Sequence, residues 1–243
     1  MDEAAAVLDL LGSVGPYFTV RHGERADPEG FRPVADLYAA DDALAPYVRS
    51  CSRRMGTDQG RVAASTFQLG FASRLWSVAL GSALLDGRVP DLSPSRLHAR
   101  QTADGGIELW LPEPQFGPEA TRPAESLRAQ VAFAHLRPLH ETLRSRYALS
   151  PQVLHGNAAS ALVGSLRVLA NRRPDVEGPG AALVSRLLAG EPLTDSGEFI
   201  VEEGLGFAFL RNNCCLYYRV PGGGLCGDCV RRRPRPAEPS PRP

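Results

Sequence analysis

The chain has 243 residues with 27 basic and 27 acidic side chains, so its formal net charge is zero. That balance argues against a nucleic-acid binder, which carries a net basic face, and the length suffices to bury a core without disulfide or metal staples. Every basic residue is arginine, which excludes a Schiff-base or other catalytic lysine.

The N-terminus opens Met1-Asp2-Glu3. A secretory leader needs a positive start, so a cytoplasmic chain is expected. Residues 3–12 read as a short helix ending at Gly12. A polar, proline-containing stretch follows to about Arg54, with short elements at 31–38 and 43–48. Residues 61–85 are apolar on nearly all sides, with Thr57 as a possible cap. Such a helix is buried or spans a membrane. Arg74 at its middle would cost about 2.5–3.5 kcal/mol on insertion, which favours a buried helix and no transmembrane segment. Residues 97–111 predict a β-hairpin around Asp104-Gly105-Gly106.

A proline-rich loop, 112–123, precedes a helix over 124–147 that Pro138 kinks or breaks. Ser150 caps the next helix, with Pro151 in its first position, and that helix runs to about Leu169. A short helix is expected over 181–189. Residues 198–201 and 207–210 are β-type runs. Together these elements predict an α+β fold, a mainly helical body with a small β component.

Four of the five cysteines, Cys214, Cys215, Cys226 and Cys229, fall in one short run with spacing C-C-x10-C-x2-C. In a reducing compartment, clustered thiols point to metal or redox chemistry rather than structural disulfides. A zinc site prefers two C-x2–4-C knuckles; only Cys226–Cys229 forms one. A [2Fe–2S] core is larger and takes four thiolates, which strains adjacent cysteines less. Zinc and iron–sulfur both remain open on spacing alone. Arg211 and Arg219 could balance the charge of a cluster. Gly222-Gly223-Gly224 either lets backbone N–H groups reach sulfur or simply returns the chain to Cys226. Asp228 is expected to face solvent. Cys51 lacks a partner in sequence and reads as a free thiol, and the five histidines are scattered.

The string from Cys214 to Cys229 resembles the C-terminal signature of the FhuF-like ferric siderophore reductases. Two upstream stretches are also similar to that family: Arg74-Leu-Trp76 through Gly87-Arg-Val-Pro90, and Gly156-Asn157 through Ser160 to Arg167. The resemblance implies a [2Fe–2S] cluster on Cys214, Cys215, Cys226 and Cys229, through which these residues act in catalysis. It further implies one-electron reduction of a ferric siderophore in the cytoplasm, with electrons from a ferredoxin or an NAD(P)H-dependent reductase. Arg74, Trp76, Asn157 and Arg167, with Trp110, are the expected substrate contacts. The expected organisation is a body over 1–196, an iron–sulfur segment over 197–230 and a disordered Arg/Pro tail over 231–243. The competing readings are a structural zinc-binding interaction module and an electron relay that meets no chelate.

Overall fold

The computed structural model describes residues 3–39, 42–117, 122–202, 204 and 206–232. Most of the expected tail, 233–243, lies outside the described residues. Two long helices form the centre, α4 (Gly60–Leu85) and α7 (Pro151–Arg172), packed along one another. Around them stand α1 (Glu3–Gly12), α2 (Val34–Ala39), α3 (Ala45–Met55), α5 (Pro123–Leu127), α6 (Arg137–Tyr147) and α8 (Glu177–Leu188). This is the α+β fold that the sequence predicts. Among the described residues no helix is long and apolar enough to cross a membrane.

Helix α4 is apolar on all sides because it has neighbours on all sides. Phe71, Leu75, Trp76 and Leu80 are buried along it. Small residues set the spacing. A Cβ on Gly81 would lie 2.6 Å from Leu11 Cδ2, so glycine lets α1 close against α4. Between α4 and α7, the Ser77 and Ser165 hydroxyls bond at 2.9 Å. Thr57 does not cap α4, which starts three residues later. Its hydroxyl instead accepts the Gln59 N–H in the turn before the helix. Ser150 caps α7 as expected, accepting the Val153 N–H at 3.4 Å.

Strands β3 (His98–Gln101) and β4 (Ile107–Leu111) form the predicted hairpin. Two dipeptide strands extend it, β1 (Arg21–His22) parallel to β4 and β2 (Arg32–Pro33) antiparallel to β3. The second sheet is the hairpin β5 (Gly197–Glu202) and β6 (Gly206–Arg211), and β6 lies on α7. The segment 128–136 is a π-helix between α5 and α6. Pro138 has no N–H to give the regular ladder, and the chain resolves the break by widening the preceding turns.

Two buried imidazoles lie in this body. His135 Nε2–H donates to the Leu92 carbonyl, so its Nδ1 accepts the Tyr38 hydroxyl at 2.8 Å. The Gln68 amide donates to His140 Nε2 at 3.0 Å. Burial pulls His135 down to about 4 and His140 to about 3. Both are neutral when folded, while an unfolded chain protonates them below about 6.5. Their contribution is therefore complete above pH about 6.5 and is lost as pH falls toward those folded values. Thermal midpoints should drop as pH is lowered from about 6.5 to 4.5; a flat series contradicts this assignment. Trp76→Ala should cost about 3–5 kcal/mol in urea unfolding, and a loss below about 1 kcal/mol would remove Trp76 from the core.

Candidate metal centre

Strand β6 ends at Arg211, and the chain then leaves the sheet with all four thiols still ahead of it. Arg211 is 1% exposed, a charged side chain at the depth of the apolar core. Helix α7 receives it. Its Nη2 donates to Asn157 Oδ1 at 2.6 Å and to the Val153 carbonyl at 3.3 Å, and its Nε donates to the Asn213 carbonyl at 3.2 Å. Only glycine fits opposite: a Cβ on Gly156 would lie 2.5 Å from Asn213 Oδ1 and 2.9 Å from Arg211 Nη2.

The same two helices tie down the sulfur segment itself. Asn157 Nδ2 donates to the Ser65 hydroxyl and carbonyl, both at 3.0 Å. Ser65 in turn donates to the Cys215 carbonyl at 2.8 Å. Farther along, the Arg211 N–H donates to the Asp228 carbonyl at 3.2 Å, and the Ser160 hydroxyl donates to the Asp228 carboxylate. Asp228 is thus half-buried and held by α7, not turned to solvent as the sequence suggested. Both ends of the ligand loop are pinned to helices from the body.

All four thiols are free of disulfides. Cys215 and Cys229 are buried, while Cys214 and Cys226 are half-exposed. The Cys215 and Cys226 sulfurs are 3.3 Å apart. Hydrogen bonding from the Cys226 thiol pulls Cys215 down to about 6 against its burial, helped by the Tyr217 N–H and the Arg211 guanidinium. Cys226 is pushed up by the same contact. The Leu216 N–H reaches Cys214 Sγ at 3.3 Å. Burial lowers the pKa of Arg211, opposed most by the neighbouring Cys215.

Among the described residues no group of three His, Cys, Asp or Glu closes around one point to hold a single ion; the sulfur contact observed is a pair. Four thiols free of disulfides, a backbone N–H donor on Cys214 and one buried cation fit the needs of a [2Fe–2S] core, whose thiolates carry excess negative charge. The glycine run serves the loop rather than sulfur. Gly222 and Gly224 have φ of +71° and +65°, conformations that L side chains rarely adopt. Gly223 turns back against Val220, and its N–H goes to the Val220 carbonyl.

The expected substrate contacts separate. Trp76 is fully buried in the core, and Asn157 is consumed by Arg211 and Ser65. The interior takes up both side chains. Trp110 is held in the sheet, its Nε1 donating to the Gly23 carbonyl at 2.8 Å with Phe31 edge-on. Arg74 stays half-buried near the surface. It donates to the Pro16 carbonyl at 3.0 Å and sits over the Tyr17 ring. Arg167 lines a small hollow on the other side of Tyr17. Cys51 is half-buried on α3 and forms no disulfide.

Sequence reasoning missed Ser65 and Ser160. Serines on an apolar helix were the available signal, since a buried hydroxyl needs a partner. Residues 211–231 match the family model of the FhuF 2Fe-2S C-terminal domain, a range that contains all four clustered cysteines and Arg211. No curated protein matches the chain. The cofactor is therefore a [2Fe–2S] cluster. Asn157→Ala would remove one of the three acceptors of the buried Arg211 guanidinium and should cost about 1–3 kcal/mol. Iron and acid-labile sulfide per chain should fall with it; an unchanged cluster content and unfolding midpoint would show that the bond holds nothing.

Proposed function

We propose that this chain, which carries a FhuF-type [2Fe–2S] C-terminal domain, reduces iron(III) held in a ferric siderophore and so releases iron(II). Cys214, Cys215, Cys226 and Cys229 would be the four ligands, acting in catalysis through the cofactor they hold. The reading rests above all on the match that spans these cysteines together with Arg211. A [2Fe–2S] group supplies single electrons, and one electron per iron is what this reaction needs. Ferric iron is a hard, highly charged ion gripped by oxygen chelators. Ferrous iron carries less charge and leaves the same oxygens readily. Each electron consumed would be replaced by a low-potential protein donor such as a ferredoxin, or by an NAD(P)H-dependent reductase. We place the reaction in the cytoplasm, where such donors are found and thiols stay reduced.

The chain's own residues have limited tasks in such a reaction. No proton must move and no nucleophile attacks. Arg211 supplies a fixed positive charge that favours an added electron at the sulfur segment. The Leu216 N–H donates to Cys214 sulfur and acts in the same direction. Half-exposure of Cys214 and Cys226 leaves one side of the segment open to a donor or a chelate.

Two measurements test this. Freshly isolated protein should be red-brown, and Cys226→Ser should lose colour, acid-labile sulfide and ferric-chelate reduction together. Dithionite-reduced wild type should be reoxidised by a ferric hydroxamate, with one ferrous ion trapped per electron. Reoxidation by a protein acceptor but never by a ferric chelate would make the chain a relay, and colourless zinc-loaded protein would make it a structural module.

A further inference from the structure

An open cleft of about 440 Å3 adjoins the sulfur segment, bounded by α3, α4, the tip of the β3–β4 hairpin and Tyr217. Tyr217 connects the two places. It stands two residues after Cys215 and lines the cleft, with Gly223 close against its ring. Ligand sites commonly have this size, with aromatic walls and a few polar groups that fix orientation. Here Tyr17, Phe67 and Tyr217 provide rings, and Arg54 and Arg74 provide charge.

The lining carries a net positive charge, two arginines against one carboxylate. Arg54 is exposed at its edge, and Arg74 is partly desolvated, as the burial-driven fall of its pKa indicates. The opposing carboxylate is Asp104, held in its ionised form by the Thr102 hydroxyl, the Gly106 N–H and the charge of Arg54, so Arg74 is the arginine that faces no carboxylate of the lining. A larger hollow of about 820 Å3 lies elsewhere, but no residue of the sulfur segment lines it. Four carboxylates, on Glu29, Asp36, Asp42 and Glu108, outnumber two arginines there.

We propose that the cleft beside Tyr217 binds a ferric chelate of net negative charge, its anionic face on Arg54 and Arg74 and its organic body on the Tyr17, Phe67 and Tyr217 rings. This rests on the reductase reading for the metal and adds the place and the charge of the substrate. The exchange within it is one electron from the reduced cofactor to one ferric ion, with the cofactor returned to its oxidised form and ferrous iron dissociating.

Gallium(III) chelates separate binding from reduction, because gallium(III) takes the place of iron(III) and accepts no electron under these conditions. Calorimetry on the cluster-loaded protein would compare a trianionic gallium tris-catecholate with a neutral gallium trihydroxamate. The trianion should bind more tightly. Arg54→Glu and Arg74→Gln should each weaken it about tenfold, the equivalent of one charge-assisted contact, with the visible spectrum of the cluster unchanged. Arg32→Glu, the same charge reversal in the larger hollow, should change it less than about twofold. Wild-type affinity in both cleft variants, or a preference for the neutral chelate, overturns the proposal. Ferric reduction that persists while both cleft variants bind as wild type would discard the cleft and keep the reductase. Arginine-dependent gallium binding with no electron reaching the ferric counterpart would keep the cleft and discard the reductase.

Discussion

A guanidinium taken out of water must keep its hydrogen bonds, and Arg211 keeps them on Asn157 Oδ1 and the Val153 and Asn213 carbonyls, with the Cys215 sulfur opposing the cost of its burial. Removing one member of a buried charge pair is costly because the other is left stranded. The placement of the C-terminal segment follows from that constraint. Arg211 enters beside α7, takes the carbonyls and amide that the helix and loop offer it, and leaves its charge facing Cys214, Cys215 and Cys226. The peptide on either side then has little choice of path. Asp228 returns to the Arg211 N–H, and Cys215 hangs from Ser65.

The helical body reads as the support for this contact. Helices α4 and α7 are tied across their contact by the Ser77–Ser165 hydrogen bond. Gly156 leaves room for the Arg211 fork. A site built on two long helices holds its groups more firmly than one carried by loops alone. The ligand loop itself is irregular, with left-handed residues at Leu216, Gly222 and Gly224, so its order comes from the body that receives it.

Local features were legible in the sequence. Ser150-Pro151, the Asp104-Gly105-Gly106 turn and the cysteine spacing each announce themselves within a few residues, and each appears where it was expected. Dipeptide strands such as β1 and β2 are too short to carry any periodicity. Pro138 marked a break, but its form, a widened π stretch upstream, depends on what packs around it. The residues of the site divide the same way. Cysteine identity is a local fact, whereas the burial of Arg211 joins α7 to a segment far along the chain. Trp76 and Asn157 show the limit most clearly. A tryptophan or asparagine suits a ligand or an interior equally well, and only the packing decides. Asp228 looked like a solvent-facing acid because Ser160, its partner, lies 68 positions earlier.

The Ser65 and Asn157 anchors also carry a temporal meaning. A ribosome makes both helices before it makes any of the four clustered thiols, so a docking groove can exist when the cysteines emerge. Assembly machinery that delivers iron and sulfide would then meet a nascent loop with one prepared berth.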